Sequence, residues 1–575
     1  MRIRFSDALA ATLIFAASFT LGCNGCDRRG SASPTTKTGS PTSPKAIAAA
    51  ATNAMTVGLV EWKKTPRDCT RVVDVLAPAL QVEATRETEE SFYALAECAR
   101  ETKRWSVVKA AMLRILRADP DYPHHALLPR AEIGLGNTDA AIAELEKLMA
   151  AAPNDPELVL TQSIADATQS KWEAALAAAE QALKLAPTSK LPEQPLFNEE
   201  ANIECADALL HLGRLDDASS AVDAAEKLGG MGAVIAGLRN DLALAQSTSI
   251  VIDEFHQREI PLGIYHLYDK VKDAGSVVAL VLSNLADTDR TFRVDTEVTA
   301  VTRKASQTKT IKAGAHELIR FAPRFLDEFK PALVRSDLRT QLLLTVTAVE
   351  SSGDRLVFDE SFPVTVLTHD ALPLQVQTGE DTTRPAYIFL AAWMTPKDKA
   401  VHDLINSAKK LAPEGAFPPD GGPGGDAMQE VKALYDELRT KGIVFGMDAS
   451  CAPALGTVQV TRLPAELLAE GADPPSCLEG PLLFATLLEA LGIRPLFVMT
   501  PIHAWVGWHA SHDEGARDSD HFLDTTGVHD FKSALEAGQR SYGEEARYKH
   551  FDQALSFLID VTALRQAGVT PQKWQ

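Results

Sequence analysis

Clustered lysine and arginine are what this sequence lacks. Its 575 residues carry 57 Lys and Arg against 77 Asp and Glu, a formal net charge of −20. Phosphate recognition needs basic side chains grouped on one surface, so this balance excludes nonspecific binding to nucleic acid and to anionic lipid. The N-terminus lacks a membrane-spanning run: the apolar stretch from Ala8 to Leu21 is shorter than the roughly 20 residues a spanning helix needs. Tight metal-ligand spacing is missing too. His509, His512, Asp513, Asp518, Asp520 and His521 crowd one segment, but their spacing reads as a solvated acidic loop, and no metal or cofactor is implied. Cysteine is scarce, at seven residues, so each can be assigned individually.

What is present is length enough for three or so domains. Residues 1–23 read as a signal peptide: Arg2 and Arg4, the apolar run, then Gly22-Cys23. Thr20-Leu21-Gly22-Cys23 resembles a bacterial lipobox, which implies that Cys23 becomes the lipidated N-terminus. Thr20 departs from the larger aliphatic usual there, and Cys26 offers a second site with poorer flanks. Residues 24–54 follow as a Ser/Thr/Pro-rich tether, densest from Ser31 to Pro44. Simple secretion is the alternative to anchoring. In an oxidising envelope compartment Cys69 and Cys98 can form a disulfide between neighbouring helices or remain free buried thiols. Cys205 and Cys451 read as structural, with a redox lock between Cys451 and Cys477 as the other reading of Cys451.

From 55 to 247 the chain is rich in Ala and Leu at helical spacing, and it repeats. Pro120, Pro153 and Pro187 lie 33 and 34 residues apart, Trp105 and Trp172 each stand 15 residues before a proline of that series, and Leu135-Gly136 and Leu212-Gly213 mark turns. A period near 34 closed by proline resembles tetratricopeptide repeats, stacked helix pairs that would present a concave surface to a protein or peptide partner. The tryptophans read as core. The Pro-rich segment Thr188 to Phe197 interrupts the register and predicts a displaced last pair.

From 248 to 375 the apolar period drops to two. Val277–Leu282, Phe292–Thr302 with Phe292, Val294, Thr296 and Val298 on one face, Leu342–Val349 and Leu356–Leu367 read as strands. Several short strands with polar turns suggest an immunoglobulin-like β-sandwich, a spacer or binding module.

Chemistry is concentrated in residues 380–575. Cys477 opens an apolar run ending at Gly492, with helical spacing and Pro474, Pro475 and Ser476 ahead of it. A helix N-terminus favours negative charge, which predicts a cysteine more acidic than the free thiol at about 8.5. Arg494–Met499 reads as a buried strand, His503–Trp508 as another, and a polar loop, Ser511 to Asp520, leads to His521–Thr526. Residues 503 and 524 then lie near the open end of a hairpin, where a carboxylate can hold an imidazole in one tautomer. Helices are expected near Lys397–Leu411 and Ala427–Lys441, a Pro- and Gly-dense loop from Pro413 to Asp426 reads as disordered or as a lid, and Leu555–Val561 reads as a closing strand.

These residues resemble the transglutaminase-like, papain-related cysteine enzymes, in which a Cys at the start of an apolar helix precedes a His-Ala-Trp strand and a Leu-Asp-x-Thr strand. The likeness spans Leu463 to Thr526 and extends back to Ile388. It implies an α+β domain with Cys477 as nucleophile, His503 as base, Asp524 as orienting acid, and Gln459 shaping the oxyanion site. Gly480 and Phe522 depart from the family's usual choices. The multidomain chain expected from all this is a helical repeat, a β-sandwich and a transglutaminase-like domain. Its expected function is an envelope-anchored enzyme that opens a peptide-like amide through a Cys477 thioester. The alternative is a scaffold lipoprotein whose last domain only binds.

Overall fold

Helical apolar spacing builds the first part of the chain. The computed structural model describes residues 44–64, 67–188, 194–229, 231–268, 270–271, 274–377, 382–413, 417, 427–443, 458–500, 503–509, 520–526, 530–547, 549–551 and 556–572. The lipobox with Cys23, the tether through Pro41, Cys451, most of the 413–426 loop and the loop residues His512, Asp513 and Asp518 lie outside them.

Helices follow one another from Pro44–Trp62 to Gly232–Thr248. Four of the turns between them share one geometry. Lys103, Gly136, Ser170 and Gly213 adopt φ of 57°, 73°, 58° and 70°. The residue after each donates its N–H back to the preceding helix: Arg104 to Ala99, Asn137 to Glu132, Lys171 to Asp166 and Arg214 to Leu209, at 2.8–2.9 Å. This left-handed closure satisfies carbonyls that a helix end leaves open. The first three turns recur at 33 and 34 residues and the fourth comes 43 later, the proline-rich insertion having moved the last pair along the chain.

Both tryptophans open second helices, Trp105–Ala118 and Trp172–Leu185. Trp105 covers Gly134, where an added Cβ would sit 2.2 Å from the indole, and Trp172 stacks on His211 at 3.8 Å. A disulfide joins Cys69 to Cys98, linking the helices Cys69–Leu76 and Glu89–Glu101.

Beyond Thr248 the period-two segments form two sheets. Val278–Asn284 lies between Ile250–His256 and His316–Phe321. A five-stranded sheet runs Glu259–Pro261, Arg355–Leu367, Leu338–Val349, Arg290–Val298, Ala305–Ile311, with only the first pairing parallel. Phe292, Val294, Thr296 and Val298 are all buried, as their alternation predicts. Ile252, Leu280 and Leu282 from one sheet meet Phe292, Val294, Leu344 and Val364 from the other in a single core.

That core does not stop at the division expected near 375–380. It continues into Trp393, Leu434, Leu483, Phe497 and Val506. Ala371–Pro373 pairs with Val458–Val460, and the buried Trp393 donates Nε1–H to Thr461 O at 3.0 Å. The hairpin Gln375–Gln377/Thr383–Pro385 also reaches the helical part, Gln375 donating to Ser106 Oγ at 3.1 Å and Arg384 to Gly136 O at 3.3 Å.

The last sheet has the order His521–Leu523, Ala504–Trp508, Pro495–Met499, Phe557–Asp560, antiparallel throughout. One face, with Phe497, Val506 and Leu523, joins the core that contains the helix Glu479–Ala490. The other, with Val498, Trp505 and Phe522, lies against Tyr542 of the helix Phe531–Arg547. A sheet covered on both faces explains why residues 495–499 and 504–508 read as unbroken apolar runs. Among the described residues no helix is long and apolar enough to cross a membrane.

Candidate active site

Ser476 and Glu479 form a reciprocal cap. Glu479 N donates to Ser476 Oγ at 3.3 Å, Ser476 N donates to Glu479 Oε2 at 2.9 Å, and the first helical bond runs from Gly480 N to Ser476 O at 3.0 Å. This is the Ser-x-x-Glu capping box. Cys477, 3% exposed, therefore lies in the first turn, while the regular helix begins two residues later at Glu479. The sequence places the cysteine at the N-terminus of this helix, opening it at Cys477 itself. The two-residue offset arises because a capped first turn is set by side-chain bonds that apolar periodicity does not register.

His503 is bonded back to Thr500. Its N–H donates to Thr500 Oγ1 at 3.0 Å, and its carbonyl accepts from Thr500 N at 2.9 Å and Oγ1 at 3.0 Å. The strand begins one residue on, at Ala504. Val506 pairs with Leu523 and Trp508 with His521, so residues 503 and 524 come to the same end of the hairpin, as their positions in the sequence predict. His503 Nε2 lies 3.1 Å from Asp524 Oδ2. The bond occupies Nε2 and leaves Nδ1 as the ring nitrogen able to take a proton from a thiol.

Asp524 is fixed from three directions. Its N–H donates to Ala534 O at 3.1 Å. Its Oδ1 accepts from Thr526 N at 2.9 Å and from Thr526 Oγ1 at 2.6 Å, leaving Oδ2 for the histidine. Burial raises the carboxyl's pKa, but hydrogen bonds from His503 and Thr526 outweigh it and hold it below the ordinary aspartate value. Thr526 Oγ1 also lies 3.3 Å from His503 Nε2.

Two supports were not singled out from sequence. Thr526 belongs to the Asp-x-Thr pattern, whose local turn chemistry is a usable signal. The helix Phe531–Arg547 carries Phe531, Ala534, Leu535, Gly538 and Tyr542 at helical spacing, an equally available one. Gly538 lets it approach closely: a Cβ there would stand 2.5 Å from Phe522 O. Phe522 stacks on Tyr542 at 3.9 Å.

Gln459 lies on the strand Val458–Val460, opposite Leu372. His509 and Asp520 sit at the far end of the hairpin and pair with each other, Nδ1 to Oδ1 at 2.8 Å. Among the described residues no group of three or more His, Cys, Asp or Glu could hold a metal ion. Cys205 is buried, and burial pushes its thiol up to about 12.

Set against known protein families and curated proteins, the chain matches none of either.

Proposed function

We propose that this chain is a cysteine acyl-transfer enzyme of transglutaminase-like fold, held at the cell envelope by lipid on Cys23, with Cys477, His503 and Asp524 as its triad. The observation that carries the reading is the 3.1 Å pair of His503 and Asp524 at the open end of a hairpin whose sheet shares its core with the cysteine helix. His503 takes the thiol proton, and Cys477 Sγ adds to an amide carbonyl. The C–N bond then breaks, with the proton passing to the leaving amine, and water opens the thioester to release the acid. Hydrolysis of a peptide or isopeptide bond is the default, since water is the available second nucleophile. Gln459 is the candidate for shaping the oxyanion site.

The helical part fits a tetratricopeptide-like repeat that recruits a protein or peptide partner, and the two facing sheets fit an immunoglobulin-like sandwich. Gln375, which bonds to Ser106 in the helix Trp105–Ala118, and Arg384, which bonds to the Gly136 turn, support a repeat array docked on the rest of the chain rather than one tethered loosely beside it.

A second reading, a scaffold that binds without catalysis, is favoured by one observation: Cys477 is only 3% exposed. Iodoacetamide alkylation across pH, read by mass spectrometry, separates the two. An enzyme alkylates at Cys477 well below the free-thiol pKa of about 8.5, slows in His503→Ala, and leaves Cys205 unmodified as an internal control. A Cys477 that stays inert in the folded chain overturns the enzyme and leaves the scaffold.

A further inference from the structure

We infer that Arg462 and Glu479 are positioning residues for Cys477, a half-buried guanidinium paired with a buried carboxylate that clamps the turn carrying the nucleophile and cancels the carboxylate charge beside it. The inference rests on the acyl-transfer reading above.

Glu479 is 4% exposed and stands two residues after the cysteine. All of its accepting capacity is used. Oε1 takes Arg462 N and Nε, both at 2.9 Å, while Oε2 takes Arg462 Nη2 at 2.7 Å and Ser476 N at 2.9 Å. Arg462 has donors left over and spends them on the same turn: Nη1 on Asp473 O at 2.9 Å and Nη2 on Pro474 O at 3.0 Å. Three of the four residues before Cys477 are thus tied to one pair of side chains.

The anchor on the other side is firm. Thr461, next to Arg462, is fully buried, bonds Asp370 O through its N–H at 2.7 Å and accepts Trp393 Nε1–H at 3.0 Å. The clamp therefore connects the nucleophile's turn to the main core. The fork geometry requires arginine, because lysine offers a single charged centre that cannot serve both carboxylate oxygens and two carbonyls at once.

The charge argument is separate from the mechanical one. A carboxylate buried in the first turn opposes a thiolate there unless a cation neutralises it. Pairing holds the Glu479 carboxyl below its ordinary value against the opposing effect of burial, so the acid is ionised and needs its partner. The charged groups bearing on this turn are then Arg462 and Glu479, with Asp473 and Glu466 acting on Arg462, and the His503–Asp524 pair that meets the thiol in the triad reading.

The two roles have a joint signature in the full chain. Arg462→Gln strands the buried carboxylate, so the midpoint of Cys477 alkylation rises by about one pH unit or more. Glu479→Gln strands the cation, so the midpoint stays or falls. The double variant Arg462→Gln/Glu479→Gln removes both charges and returns the midpoint toward wild type. Hydrogen exchange at the Ser476 and Cys477 amides quickens in Arg462→Gln because the guanidinium's bonds to Asp473, Pro474 and Glu479 are gone. Should that variant fail to fold, Arg462→Lys keeps the charge while losing the fork, and faster exchange with a near-native midpoint is expected.

An Arg462→Gln midpoint that falls or does not move, or a Glu479→Gln midpoint that rises, overturns the charge role. Unchanged exchange in Arg462→Gln and Arg462→Lys overturns the clamp. Failure of the acyl-transfer reading looks different: wild-type alkylation is then indifferent to His503→Ala, whatever the Arg462 and Glu479 variants do.

Discussion

Thr526 bears on the proposed triad through the carboxylate it holds. Its hydroxyl and N–H both donate to Asp524 Oδ1, which turns Oδ2 to His503. Thr526→Val removes the hydroxyl donor at nearly constant volume and should cost on the order of 1 kcal/mol in stability. Cys477 alkylation near neutral pH slows several-fold, and Thr526→Ser restores it. Asp524 itself makes a pH prediction. Its folded pKa is depressed, so folding favours the ionised acid. The stabilisation is complete above the unfolded aspartate pKa of about 3.9 and is lost as pH falls below that toward the depressed value. Asp524→Asn lacks this dependence. Its denaturation midpoint is lower than wild type near neutrality but falls less steeply in acid, and an equally steep fall in both would contradict the assignment. The residue types Cys477, His503 and Asp524 were legible because each sits in a distinctive local pattern. Arg462 was not, since its partners lie 11 to 17 residues away and only folding brings them together.

The elements around the site differ in how openly the sequence declares them. Pro495–Met499 and Ala504–Trp508 are unbroken apolar segments bounded by Pro and polar residues. They were readable because both faces of their sheet are covered. Ile250–His256 and Ala305–Ile311 passed unremarked. Ala305–Ile311 lies at the edge of its sheet, carries Ser, Gln, Thr and Lys, and buries only Ile311, so it has little apolar signal to offer. The helix Phe531–Arg547 supplies a test at this scale. Gly538→Ala puts a Cβ against Phe522 O and Leu523 N, at 2.5 and 2.6 Å. Alanine gains roughly 1 kcal/mol in helix propensity, but overpacking against backbone costs about 1–3 kcal/mol. Net destabilisation is expected. It should come with slower Cys477 alkylation, since the helix must lift away from the strand and carry Ala534 O from Asp524 N. A more stable, fully reactive variant would contradict the packing account.

For the whole molecule, the helical part has its own covalent restraint and the remainder shares a core. Replacing Cys69 and Cys98 by Ala opens a loop spanning a sequence separation of 29, worth about 3–4 kcal/mol on chain-entropy grounds. The first unfolding transition seen by far-UV circular dichroism should move to lower denaturant, while Cys477 alkylation in the native range stays as in wild type. The residues beyond 248 behave differently, because Ile252, Phe292, Trp393, Phe497 and Val506 belong to one apolar cluster. They should unfold together, with no separate transition at 375–380. A composition shift in a chain marks where the secondary structure changes type. It does not mark where a core ends.

By itself, the sequence determined the local things: which segments are helical and which extended, the repeat period near 34 and its interruption, and a cysteine, histidine and aspartate at the ends of apolar elements. Each follows from side-chain periodicity or turn chemistry within a few residues. Tertiary structure alone decided that Asp524 Oδ2 faces His503 Nε2, that Arg462 and Glu479 close around the cysteine's turn, and that the middle sheets and the residues beyond 380 bury one common core. Those outcomes depend on groups far apart in the chain competing for the same buried space and the same hydrogen-bond donors, which no local pattern encodes.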